Sequence, residues 1–210
     1  MHIFVMSEIY AVLALSLALI VGYSGQVSMG HAAFYGMGAY VSALLTLKLG
    51  WSFWVTFWCA GLASGLFSYV IGRLVLRLRG NVLAITTAFF CVLVNVVMNN
   101  WIPVTNGPMG IAGIPRPTPL DVLGLHLVFE NRIHYYYLGL LFVALTTFFL
   151  ARIVSSRFGD NLVAVRENEE LAQSVGIDAM KTKVFAFTVG GALAGLAGSF
   201  YAHYILFISP

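Results

Sequence analysis

His31 stands in the stretch GYSGQVSMGHAAFYGMGAY, residues 22–40, behind Gln26 and Ser28 and among five glycines. An imidazole can ligate a metal or move a proton. Yet no HExxH, nucleophile elbow, pair of intramembrane carboxylates or second histidine at ligand spacing accompanies it, and His203 stands equally alone. No catalytic residue and no metal ligand is therefore expected. What glutamine, serine and histidine can do together is satisfy backbone amides and carbonyls freed where a helix breaks, a necessity in hydrocarbon. Gly25, Gln26, Ser28, Gly30 and His31 thus fit a helix interruption that faces a pathway. Close packing of the same glycines against a neighbouring helix, with a satisfied His31, explains them as well. A dinucleotide fingerprint does not, because Val41 stands where that pattern needs glycine and no βαβ context surrounds it.

Two further groups carry polar chemistry. Asn95, with Asn99 and Asn100, is a second candidate for lining a pathway, although interhelical hydrogen bonding is the commoner use of such residues. In the segment SSRFGDNLVAVRENEELAQSVGIDAMKTK, Asp160 or Asn168 can cap a helix start and Gly176 can end it in the left-handed conformation. Leu162, Val163, Val165, Leu171, Ala172 and Val175 form an apolar side, opposite Arg166, Glu167, Glu169 and Glu170. Three glutamates would be repelled by an anionic leaflet, so a protein partner is expected for this amphipathic helix rather than lipid alone.

The elements that must position these residues are set by composition. The 210 residues are 60% hydrophobic and 9% charged, with a mean hydropathy of +0.90. Charged residues normally make up about a quarter of a globular chain, so this is an integral membrane protein. A net charge of +3 is too small and scattered for a nucleic-acid surface. Cys59 and Cys91 lie in apolar runs, and no disulfide framework or zinc spacing exists. The first Lys or Arg is Lys48, so the basic n-region of a signal peptide is missing and the first apolar run is expected to remain as a span.

Six runs approach the ~20 residues a membrane helix needs: 3–22, 27–47, 52–72, 82–101, 134–153 and 183–207. The expected fold is an all-α polytopic bundle in one domain covering 1–210, with the glycine-rich second run a candidate for a broken or re-entrant segment. Arg73, Arg77, Arg79, Arg152, Arg157, Arg166, Lys181 and Lys183 are eight of eleven basic residues and fall in two connections. By the positive-inside rule those connections are cytoplasmic, which makes 154–182 a cytoplasmic loop and 102–133 an extracytoplasmic one, with Lys48, Arg116 and Arg132 outside. Pro103, Pro108, Pro115, Pro117 and Pro119 forbid a continuous helix in the outer segment, whose Asn106, Gly107 and Gly110 suit turns with positive φ. A plain linker is the preferred reading of it over a docking surface. Gly61 with Gly65, and Gly191 with Gly195 beside Gly190, Ala194 and Gly198, repeat small residues four apart, as helix-contact faces do. Glu8 and His203 fall near predicted membrane ends, where water or a headgroup can reach them.

Four blocks in order, GYSGQVSMGHAAFYGMGAY, RLRGNVLAITTAFF, TNGPMGIAGIP and AVRENEELAQSVGI followed by KVFAFTVGGALAGLAGSFYA, resemble the permease subunits of branched-chain amino acid ABC transporters, the M-type in particular. The resemblance covers nearly all of the chain. It implies a second, H-type permease, two cytoplasmic ATPase subunits that hold ATP and Mg, an extracytoplasmic solute-binding protein, and a place in a bacterial-type cytoplasmic membrane. No GxxxxGK[ST] occurs here, so no cofactor is expected on this chain. By position, Arg166, Glu167, Glu169, Ala172 and Gly176 match the family's ATPase-docking loop, and Gly25, Gln26, Ser28, Gly30 and His31 match its signature near the translocation pathway. Ala18 and Asn106 depart from the usual asparagine and glycine, which leaves the substrate open. Members also begin with a further span before the one near Ile9 and continue beyond Pro210, so the chain is expected to lack an N-terminal span and C-terminal spans.

Two other classes compete. An ion-coupled secondary transporter needs ionisable groups at membrane depth, for which the spans offer Glu8, His31 and His203. A membrane-embedded enzyme would use His31 or His203, and isolated histidines seldom make a site.

Overall fold

The computed structural model describes residues 1–78, 80–117, 120–122, 125–127 and 132–210, with the backbone alone at 120–122, 125–127 and 132. Arg79, Pro119 and the side chain of Arg132, all invoked above, lie outside what is described. Among the described residues, six helices are long and apolar enough to cross a membrane. They are α1 (His2–Ala18, prolonged by a π-helical turn at Leu19–Tyr23), α2 (His31–Leu49), α3 (Phe53–Val75), α4 (Gly80–Asn100), α6 (Arg132–Val154) and α9 (Ala179–Ile205). The chain is a multi-pass, all-α membrane protein. The second run is helical from His31 onward, and its first residues, 27–30, belong to the irregular join at 24–30 with the first.

α9 is the axis of the bundle, and small residues explain how its neighbours reach it. A Cβ on Gly38 of α2 would overlap the backbone of Gly195, and one on Gly198 would strike the Tyr35 carbonyl. On its other side α9 meets α3, where Gly61 lies under Leu196, Gly65 under Ala192 and Gly191 under Ser68. With helix backbones this close, buried serines reach across. The Ser64 hydroxyl donates to the Phe34 carbonyl (3.1 Å), and that of Ser68 to the Phe187 carbonyl (2.7 Å). Dispersion and such hydrogen bonds, not water exclusion, hold helices together in lipid.

Pairings along α9 give the helix directions. Phe34 meets Phe187 near one end and Ser42 meets His203 near the other, so α2 runs parallel to α9. α1 runs antiparallel, with His2 stacked on Tyr204 and the Ser16 carbonyl beside Gly190. The ends of α3 and α6 that carry Arg73 and Arg152, and the start of α9, form an arginine-rich end of the bundle.

At the opposite end the proline-rich segment folds back onto α9. It contains a short α5 (Ile102–Thr105), a 3-10 turn (Gly107–Met109) and β1 (Ile111–Ala112), which pairs with β4 (Phe207–Ile208) just after α9; β2 (Leu120–Val122) pairs with β3 (Leu125–Leu127). Asn106, Gly107 and Gly110 all have positive φ. His203 ties the segment down. Its Nδ1–H donates to the Pro115 carbonyl (2.8 Å), which leaves Nε2 to accept from the Ser42 hydroxyl (2.9 Å), itself bonded by Ser199 (2.7 Å). The preference for a plain linker is corrected here, since strand pairing and a buried histidine bind the segment to the core.

Between α6 and α9 the chain forms two helices rather than one, α7 (Arg157–Glu167) and α8 (Glu169–Ser174), separated at Asn168, whose φ of −155° is extended. Asp160 caps neither. Ser156 accepts from the Phe158 amide to start α7, and Asn168 accepts from Glu170 and Leu171 to start α8. Gly176, at φ +89°, turns the chain out of α8. Asp178 then caps α9. Its carboxylate accepts from the Lys181 amide and lies beside the Lys181 ammonium, which together hold it below the usual carboxylate range.

Candidate functional site at the α1–α2 junction

Residues 24–30 connect α1 to α2 without regular structure, and three elements hold them. The π-helical turn leaves carbonyls for the emerging chain: the Gln26 amide donates to Ile20 O (3.1 Å), and the Ser24 hydroxyl donates to the same oxygen (2.7 Å). Gln26 folds back, its side-chain amide on the Ser24 carbonyl (3.0 Å). On the α4 side, the Met29 amide donates to the Thr87 hydroxyl (3.0 Å), and Gly30 approaches the Thr87 carbonyl so closely that a Cβ would sit 2.8 Å from it. On the α1 side, Ser16 and His31 meet at 2.7 Å. Because the Ser16 hydroxyl already donates to Leu13 O (2.8 Å), the proton belongs on Nε2 of His31, leaving Nδ1 a bare acceptor. The Ser28 hydroxyl is buried and has no partner among the described residues.

The third holder is Arg166, on the last turn of α7. Its Nη1 donates to the Gly22 carbonyl (2.6 Å), its Nε and Nη2 grip Glu167 (3.1 and 2.6 Å), and its Cγ lies where a Cβ of Gly25 would come within 2.7 Å. Gly25 must be glycine twice over, since its φ is +68°. The structure thus joins two groups that the sequence places 144 residues apart at Gly22 and Arg166: the residues of the glycine-rich stretch and the loop carrying Arg166.

The remaining loop residues divide. Ala172 is buried with Val165 and Ala179, while Leu162 packs on Leu19, Leu150 and Ala186. Leu171 and Val175 are 65% and 76% exposed, so they leave the apolar face that covers the bundle. Glu169 forms an ion pair with Lys183 (2.8 Å), whose side chain is only 4% exposed. That carboxylate braces α8 to α9 instead of facing outward. Replacing Glu169 by glutamine leaves the Lys183 ammonium without its counter-charge, and a loss of about 1–3 kcal/mol is expected, read as a lower Tm of the detergent-solubilised protein.

Asn95 is elsewhere. It lies eight residues beyond Thr87, roughly 12 Å along α4, where Asn99 donates to its side-chain oxygen (3.0 Å). It lines a cavity of about 240 Å³ with Gly36 and Tyr40 of α2, Cys91 of α4, Tyr201 and the Phe207–Pro210 segment. The Tyr40 hydroxyl has no partner among the described residues. Among the described residues, the cavity lining contains no Asp, Glu, Lys or Arg. Sequence reasoning missed Ser16, Thr87 and Lys183. Each is a polar residue inside or at the edge of an apolar run, which marks it as satisfied by something without saying by what.

The chain matches, over residues 1–210, the model of the family described as branched-chain amino acid transport system / permease component. It is 35% identical to the high-affinity branched-chain amino acid transport system permease protein LivM of Salmonella typhimurium, and to that of Escherichia coli, over 98% of this chain and 52% of either relative. A shorter stretch, 29% of this chain and 21% of the relative, is 42% identical to the probable branched-chain amino acid transport permease protein LivH of Methanocaldococcus jannaschii. No solved structure matches. The chain spans about half the length of the LivM relatives. By the match along all its residues, it belongs to the family of branched-chain amino acid transport system permease components.

Proposed function

We propose that this chain is the membrane-crossing part of an ATP-driven importer of branched-chain or related amino acids in a bacterial-type cytoplasmic membrane. It works beside an H-type permease, receives solute from an extracytoplasmic binding protein, and is driven by two cytoplasmic ATPases that hold ATP and Mg. The arginine-rich end is then cytoplasmic. α7 and α8 form the coupling loop, with Glu170, Leu171 and Val175 exposed toward the ATPase, Gly176 setting the turn, and Ala172 and Glu169 anchoring the loop to α9. The observation that carries the reading is the bond from Arg166 to Gly22. Through it a push on α7 reaches residues 22–31, and through Met29 and Thr87 it reaches α4, a wall of the cavity at Asn95. Gly25, Gln26, Ser28, Gly30 and His31 are the yielding part of the pathway in this scheme.

The test is uptake of labelled leucine in cells deprived of their own permeases, together with purification of the tagged full-length protein. The expected result is uptake that requires ATP and an ATPase subunit that co-purifies. Uptake with no ATPase attached sinks the proposal. One observation favours an ion-coupled carrier: both carboxylate oxygens of Glu8 are buried between α1 and α6, against Gly139, without a partner among the described residues. Under that reading, Glu8→Gln abolishes uptake and dissipating the proton gradient stops it with ATP still present.

A further inference from the structure

We propose that the groove between α3 and α9 at the arginine-rich end is a binding site for one anionic phospholipid. The groove encloses about 360 Å³ and is lined by Tyr69 and Arg73 of α3 and by Lys181, Val184, Phe185 and Thr188 of α9. Charge and depth both select the occupant. Arg73 is the third residue from the end of its helix and Lys181 the third of its own, the level at which basic side chains meet headgroups. Thr188 is seven residues further along α9, about 10 Å deeper, so an acyl chain laid past Val184 and Phe185 stays in hydrocarbon. Phe185, Val70 and Leu74 are exposed apolar side chains, which opens the groove to lipid.

The cations are available. Arg73 donates to the Tyr69 hydroxyl (3.1 Å) and lies 5.7 Å from its ring centre, which aims the guanidinium without neutralising it. Lys181 pairs with Asp178 at 3.0 Å, but its side chain is 82% exposed, and a surface pair of this kind holds weakly. Counting Arg73, Lys181 and Asp178 leaves +1 at the mouth. A phosphodiester with its acyl chains matches this arrangement. A free phosphate would gain nothing from the apolar depth, and a zwitterionic lipid would gain nothing from the net charge.

The experiment uses the full-length protein in nanodiscs doped with a photoreactive phosphatidylglycerol or a photoreactive phosphatidylcholine, with labelled peptides mapped by mass spectrometry. Labelling of the peptides carrying Tyr69 and Phe185 is expected to be about fivefold or more higher for phosphatidylglycerol. Arg73→Gln and Lys181→Gln each lower it about two- to threefold, and the double variant brings it to the phosphatidylcholine level, which itself stays constant and reports an intact fold. Equal labelling by the two lipids overturns the proposal. So does an unchanged preference in the double variant, or a groove that neither lipid labels because protein covers it. The readout is lipid capture, independent of transport.

Discussion

Gly38→Ala will prevent the bundle from assembling, whereas Gly36→Ala, two residues away on the same helix, will leave it intact. The difference lies in what the added methyl meets. At position 38 it overlaps the carbonyl oxygen, carbon and Cα of Gly195, all backbone atoms. At position 36 the nearest atoms are the end of the Met98 side chain at 3.8 Å, an ordinary and adaptable contact. Nor can α9 retreat. On its far side, against α3, Gly195 is already pressed on Ser64 and Gly191 on Ser68. Overpacking usually costs about 1–3 kcal/mol when side chains can yield; two backbones cannot, so a loss above about 4 kcal/mol is expected. Gly36→Ala instead gains helix propensity, about 1 kcal/mol at most, and only narrows the cavity by Asn95. Size-exclusion profiles and Tm values after detergent extraction check both variants. A monodisperse Gly38→Ala protein with unchanged Tm would mean that α2 and α9 are not in backbone contact.

The contrast shows how far the sequence could be read. Six long apolar runs, proline where no helix can run and glycine four residues apart are local facts, and each constrains backbone by chemistry that needs no partner. The stretch 22–40 was harder, because the same residue type serves two purposes there. Gly25 supplies a left-handed turn and Gly30 an approach to α4, whereas Gly38 admits a neighbouring helix. Polarity around the first two, and its lack around the third, was the only sign of the difference. The loop illustrates the opposite limit. Its helical character is visible in the sequence, yet nothing in 154–182 says that Glu169 turns inward to Lys183 or that Arg166 reaches Gly22. Those contacts depend on where α7 sits against α1, which is a property of the tertiary fold.

Under the proposed function, Arg166→Ala will separate folding from transport. The helix that carries Arg166 remains in place without it, because Leu162 and Val165 are buried and α8 is braced through Glu169 and Ala172. What disappears is the charged hydrogen bond to the Gly22 carbonyl, worth about 1.5–3 kcal/mol, so uptake is expected to fall by about ten- to a hundredfold. ATPase binding should be unchanged, since the guanidinium points at the α1–α2 junction instead of outward. Lysine at the same position can donate to Gly22 but cannot grip Glu167 with two nitrogens, so it should restore part of the rate. Gly25→Ala attacks the same contact from the other side, with a Cβ against Arg166 Cγ and a disfavoured φ. It should show the same pattern of normal ATPase association with poor uptake. If Arg166→Ala transported normally, force would have to reach the membrane helices by another path, and the direct connection from α8 to α9 through Lys183 would be the one to test.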